Sequence, residues 1–167
     1  MKKSTKFLAS AAAALALFFS IDANAQSAPK FGIGLNVGAG VGTGQSFAIG
    51  GDLRYQFDVD KQLSIPITAG YTNIQYKDAY GDISFGYIPV KAGLKYFFND
   101  TGAGVYGLAE AGAAFGVGDY SGTDFVYSPA LGYAWSNGLD LAAKYEGIAS
   151  GGTNGYVGIR LAYGFKL

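Results

Sequence analysis

Few side chains in this sequence could do chemistry. The chain has no Cys and no His, which excludes thiolate and imidazole metal sites, cysteine nucleophiles and every histidine-based triad. Glu110 and Glu146 could form an acid–base pair for glycosidic cleavage. Both fall beside cations in the arrangement derived below and no groove faces them, so a structural role is expected. Asp58-x-Asp60 and the stretch from Asp119 to Asp124 offer oxygen ligands, but neither has the ligand spacing of an EF-hand-type calcium loop. Gly32-x-Gly34 and the series Gly38, Gly40, Gly42 and Gly44 suggest a nucleotide loop. Their spacing of two places them within a strand that leads into no helix, which rejects the dinucleotide fingerprint. No catalytic residue, cofactor or metal is therefore expected. What remains is a set of charges, Asp52, Arg54, Lys91, Glu110, Lys144, Glu146 and Arg160, whose meaning depends on the elements that carry them.

Those elements alternate. Phe31, Ile33, Leu35, Val37, Ala39 and Val41 take odd positions with small residues and Asn36 between them, a repeat of 180° per residue that no helix shares. A second run sets Phe47, Ile49, Leu53, Tyr55 and Phe57 against Gly50, Asp52, Arg54, Gln56 and Asp58. A third sets Leu63, Ile65, Ile67, Ala69 and Tyr71 against Ser64, Pro66, Thr68 and Gly70. In the fourth, Phe85 and Tyr87 are odd while Ile88, Val90, Ala92, Leu94, Tyr96 and Phe98 are even, so a β-bulge is expected near Pro89. Four more runs follow, centred on Ala111, Leu131, Leu141 and Leu161, and Asn137-Gly138 is a strong hairpin signal. The expectation is an all-β, eight-stranded antiparallel up-and-down barrel.

Alternation does not say which face meets solvent. A soluble barrel buries its apolar face, whereas a membrane barrel turns it outward. Charged residues are only 14% of the chain, against about 25% in soluble proteins, and the non-apolar face is mostly Gly, Ala, Ser and Thr. Runs of about 10–12 residues match the ~9–11 that cross a bilayer at a tilt. The aromatics also sort by depth. One rim collects Phe31, Tyr55, Phe57, Tyr96, Phe98, Tyr133, Trp135, Tyr163 and Phe165. The other collects Phe47, Tyr71, Phe85, Tyr87, Phe115, Phe125, Tyr127 and Tyr145, with aliphatic residues between. Two aromatic girdles around an aliphatic band are what a bilayer selects, so the barrel is expected to be transmembrane.

The seven charges then point into the lumen, where isolated charge is costly and pairing is required. Counting from the hairpin turns sets Lys91 near Glu110 and Arg160 diagonal to Glu146. An eight-stranded interior is just wide enough for side chains, which favours a salt-bridged plug over a polar conduit or proton path. Ahead of the barrel, Lys2, Lys3 and Lys6 precede an apolar stretch from Phe7 to Ile21, and Ala23-Asn24-Ala25 forms an A-x-A site. Residues 1–25 are expected to be a cleaved signal peptide and 26–167 the barrel domain. Twelve basic and twelve acidic residues balance, so no nucleic-acid partner is expected.

The segment from Phe85 to Phe98, with Tyr87-Ile88-Pro89 and Lys95-Tyr96-Phe97 as its closest pieces, resembles the small bacterial outer-membrane β-barrel proteins of the OmpX and OmpW kind. The resemblance covers the barrel domain and implies a Gram-negative outer-membrane location, with both chain ends periplasmic. It also implies insertion by the outer-membrane assembly machinery through the alternating C-terminal strand, although Leu167 stands where Phe is usual and Phe165 lies two residues earlier. Barrels of this size that act on lipid A use a His, which this chain lacks.

The expected function is non-enzymatic, structural or surface-interacting, with a narrow channel or lateral portal for small apolar molecules as the alternative. The outer connections Gly42–Gln45, Asn73–Asp82, Gly118–Asp124 and Ala149–Asn154 are short. Asp78, Asp82, Asp119 and Asp124 make that end mildly acidic, suiting divalent cations that bridge lipopolysaccharide. Outer-membrane lipid and lipopolysaccharide are the expected partners of a monomer. The intact mass of protein extracted from membranes should correspond to a chain starting at Gln26; a retained leader would overturn the export argument.

Overall fold

The computed structural model describes residues 30–77, 84–118, 122–151 and 153–166, without the side chains of Thr153 and Lys166. The leader and its cleavage point before Gln26, together with Asp78, Asp82, Asp119 and Leu167, lie outside the described residues. Eight strands follow in order: β1 Lys30–Gly40, β2 Gln45–Asp58, β3 Leu63–Tyr76, β4 Ser84–Phe97, β5 Gly104–Val117, β6 Thr123–Ala134, β7 Leu139–Ala149 and β8 Thr153–Lys166. Each pairs antiparallel with its neighbours in sequence, and β8 returns to β1 to close the barrel. The closing seam is continuous, from Lys30 opposite Lys166 to Gly40 opposite Tyr156. Closure leaves no unpaired strand edge, the condition for strands to cross lipid.

The apolar face is the outer one. Leu53 is 53% exposed and Leu161 50% exposed, while the alternating positions Arg54 and Arg160 are 5% and 3% exposed. The barrel is inverted relative to a soluble protein, with hydrocarbon outside and charge inside. Aromatic side chains cluster at both ends of this wall. At the end carrying Lys30 and Lys166, hereafter the terminal end, successive outward rings pack on one another along single strands. Tyr55–Phe57 and Tyr133–Trp135 each lie 4.7 Å apart, and Tyr163–Phe165 5.0 Å apart. Phe31 stands opposite both Tyr55 and Phe165, so the rings share one height. At the opposite end Tyr127 packs on Phe125 at 6.3 Å and on Tyr145 at 5.8 Å. Tyrosines there also cover outward glycines of adjacent strands: a Cβ on Gly86 would meet the Tyr71 hydroxyl at 2.5 Å, and one on Gly147 the Tyr127 ring at 2.6 Å. Such coverage supplies the packing that a glycine in a strand lacks.

Two expectations about β4 are corrected. Its register with β3 is the same from Leu63 opposite Tyr96 to Gln75 opposite Ser84, and the ladder to β5 is unbroken. There is no bulge at Pro89. The proline, having no N–H, interrupts the ladder to β3 between the Ala69–Val90 and Thr72–Tyr87 pairs without shifting it. With one phase throughout, Phe85 and Tyr87 point inward and do not join the outer girdle; Tyr87 is fully buried and Phe85 packs against the inner cluster. An inward aromatic is stable here because the Tyr87 hydroxyl donates 2.7 Å to Glu146 Oε1. The register irregularity lies instead in β2, between Gln45 and Ala48 against β3. The connection expected over Asn73–Asp82 is also shorter, because β3 continues to Tyr76 and β4 begins at Ser84.

The two faces should answer oppositely to the same charge. Leu53→Arg should impair folding into lipid vesicles by about 2–4 kcal/mol, whereas Gln56→Arg, which enters a water-accessible mouth at the terminal end, should cost much less. Heat-modifiable gel mobility would measure both, and the reverse order would mean that the assigned faces are exchanged.

A candidate functional site inside the barrel

Every strand sends its inward positions to one axis, and the types at those positions change with depth. Nearest the end opposite the termini lies an apolar cluster of Ala48, Ile74, Tyr87, Ala114, Val126, Ile148 and Tyr156. A second cluster, Phe97, Tyr106, Leu108, Ala134 and Ala142, lies toward the terminal end. Between and alongside them sits a polar layer. Asp52, Arg54, Lys91, Glu110, Lys144, Glu146 and Arg160 are all buried in it, and Lys95 and Asp140 join them.

The layer is wired mainly across strands, with Lys144 and Glu146 pairing along β7. Arg160 on β8 reaches over β1 to Asp52 on β2, donating from Nη2 to Oδ1 at 2.6 Å and from Nε to Oδ2 at 3.0 Å. This two-pronged pairing suits a planar guanidinium. It is possible because the intervening strand carries Gly34, where a Cβ would come within 2.7 Å of the guanidinium. Asn36 on β1 donates to Asp52 Oδ2 at 2.7 Å and accepts from Lys144 at 3.4 Å. Glu146 is the hub of the other half. Its Oε2 accepts from Lys144 at 3.0 Å and from Lys91 in a still closer contact, and its Oε1 accepts from Tyr87. Glu110 accepts from Thr68 at 2.6 Å and from Arg54 Nη2 at 3.2 Å. Asp140 accepts from Tyr106 at 2.6 Å and from Lys95 at 2.7 Å. The Lys95 ammonium also lies 3.8 Å from the centre of the Tyr106 ring, a favourable cation–π placement. That ring rests over Gly132, where a Cβ would meet it at 2.5 Å.

The pairings differ from those counted out of the hairpins. Lys91 and Glu110 do meet, at 3.9 Å, but the near partner of Lys91 is Glu146 on β7. Arg160 pairs with Asp52, not with Glu146. Hairpin counting sees only strands adjacent in sequence, whereas long side chains in a narrow tube meet across it. Lys95 and Asp140 were the missed members, although parity was a usable signal. Lys95 shares the phase of Lys91, and Asp140 that of Lys144 and Glu146. The buried tyrosines carried no such signal, because a ring fits either face of the wall.

Among the described residues, every buried carboxylate in the layer is thus committed to cations, hydroxyls or amide donors. The acidic turn is structural as well: Asp60 Oδ1 accepts from the backbone N–H groups of Gln62 and Leu63, each at 2.7 Å, and Asp58 pairs with Lys30 at 2.7 Å. The arrangement braces a closed tube.

The model of the family described as outer membrane protein beta-barrel domain matches residues 11–165. Several solved structures share the fold at low sequence identity. Ail, the attachment invasion locus protein of Yersinia pestis, superposes with a TM-score of 0.60 at 18% identity, over 84% of this chain and 100% of that one. The N-terminal β-barrel domain of Pseudomonas aeruginosa OprF gives 0.56 at 16%, over 81% and 97%. A transmembrane β-barrel designed de novo gives 0.52 at 16%, over 84% and 99%. No curated protein sequence matches the chain.

The wiring predicts unequal couplings for Lys91. In double-mutant cycles read by unfolding in detergent, Lys91 and Glu146 should couple strongly, within the range of about 0.5–3 kcal/mol seen for contacting residues, and Lys91 with Glu110 much less. A larger coupling to Glu110 would contradict the assignment of Glu146 as the near partner.

Proposed function

This chain belongs to the outer membrane protein beta-barrel domain family, and we propose that it serves the outer membrane as a non-enzymatic, non-conducting barrel whose role is structural or surface-interacting. The observation that carries this reading is the filling of the lumen. An apolar cluster and a salt-bridged layer occupy successive depths of the barrel, with a second apolar cluster alongside the layer, so a solute would have to break several buried ion pairs to cross. Breaking one such pair by removing a partner typically costs about 3–5 kcal/mol. With the axis closed, the surfaces left for function are the lipid-facing wall and the two rims. The connections at the end opposite the termini are short, 41–44, 77–83, 118–122 and 150–152, which favours contact with flat, extended partners such as lipid and lipopolysaccharide over enclosure of a ligand. The wall is apolar on all eight strands, which suits a monomer surrounded by lipid. Export through a cleaved leader and insertion by the outer-membrane assembly machinery complete the reading.

Planar-bilayer recording of purified protein separates this from the channel alternative. The expected record is that of the bare membrane. Repeated unitary current steps would overturn the closed-lumen reading in favour of a channel.

A further inference from the structure

The buried layer does not balance its own charge. Among the described residues it holds five buried cations, Arg54, Lys91, Lys95, Lys144 and Arg160, and four buried carboxylates, Asp52, Glu110, Asp140 and Glu146. The shortage is visible in the wiring, since Glu146 serves both Lys91 and Lys144. It is visible again at Arg54. That guanidinium spends Nε on Thr68 at 3.1 Å and Nη2 on Glu110 at 3.2 Å, while Nη1 is buried with no acceptor. A buried donor on a surplus cation is the most costly kind of polar group to leave unmet.

Arg54 also faces open space. A cavity of about 740 Å³ opens at the terminal end and reaches Arg54, Lys95 and Arg160. Its volume lies within the range of about 300–1,000 Å³ typical of small-molecule sites. Its wall includes five cations, the three just named with Lys30 and Lys61, against three carboxylates. Lys30 is neutralised by Asp58, whereas Lys61 at the lip forms no ion pair with the described residues. The inner end of the cavity abuts the charged layer, and beyond that layer lies the apolar cluster around Tyr87 and Tyr156. The cavity is therefore blind.

We propose that this vestibule binds a small oxyanion, a phosphate group, with the Arg54 guanidinium at its floor and Lys61 attracting the ligand at the lip. The phosphate supplies the fifth negative charge of the layer, and a rotation of the Arg54 side chain, which is 5% exposed, brings the buried Nη1 to it as a donor. A guanidinium fork suits such a group geometrically. The proposal rests on the closed lumen argued above and adds that the vestibule is a binding site facing the side of the chain ends. The phosphate could be free in solution or belong to the headgroup of a lipid.

The test is a titration of the full barrel in a non-ionic maltoside micelle, with inorganic phosphate replacing chloride at constant ionic strength and unfolding temperature as the readout. A saturable rise with phosphate is expected, and its absence in Arg54→Gln. That variant should fold, because it leaves four cations against four carboxylates, with Glu110 retaining Lys91 and Thr68. Lys61→Ser leaves the interior intact and should weaken apparent affinity by up to about five-fold; it keeps the proposal testable if Arg54→Gln does not fold. Glycerol 1-phosphate acting at lower concentration than phosphate would assign the site to a lipid headgroup, and equal potency to a free anion. No rise beyond chloride, or the same rise in both variants, would overturn the proposal. Current steps in planar bilayers would instead overturn the closed lumen, so the two failures are distinguishable.

Discussion

The interior of an eight-stranded barrel is barely wider than the side chains that fill it, and the rest of this structure follows from that constraint. Volume and charge must both be settled within one narrow column. Volume is settled in part by setting large inward groups over glycines on the next strand. Arg160 lies over Gly34, Tyr106 over Gly132, and Tyr156 over Gly38, where a Cβ would come within 2.9 Å of the ring. Charge is settled by reaching across strands. The Arg160–Asp52 fork spans β1, and the Lys91–Glu146 contact joins β4 to β7 across the lumen. Because those links join strands that share no ladder, they tie the barrel's shape to its charge pattern.

The outer wall obeys a different solvent. Lipid offers no hydrogen bonds, so the backbone must close on itself and the outward side chains must be hydrocarbon. The ends of that wall carry rings instead, since an amphipathic ring is at home between hydrocarbon and headgroup. The same ring can serve indoors where a carboxylate waits for its hydroxyl, as Glu146 does for Tyr87 and Asp140 for Tyr106. The three prolines inside strands fit the same economy of hydrogen bonds. Pro66, Pro89 and Pro129 each coincide with a break in one ladder while the register continues beyond it.

Ail of Yersinia pestis, a domain of OprF and a barrel designed de novo share this architecture. Architecture alone therefore carries no particular role. Among the described residues, the lumen of this chain holds a surplus cation, with an open vestibule at one end and an apolar closure toward the other.

The strand count, the antiparallel order and the inversion of faces were legible in the sequence, because a period of two and the placement of charge by parity are local properties of a strand. Parity alone also assigns Asp52, Arg54 and Glu110 to the inner face, and the same parity holds for Lys95 and Asp140. The phase of Phe85 and Tyr87 was not legible. Hydropathy cannot orient an aromatic residue that finds a solvent on both faces, so the expected bulge at Pro89 was an artefact of assuming that rings point outward. Which carboxylate each cation holds was beyond the sequence altogether. Hairpin counting reaches only the neighbouring strand, whereas Lys91–Glu146 and Arg160–Asp52 depend on barrel closure, on shear and on where a glycine leaves room. Those are properties of the closed tube, and only the tertiary structure decided them.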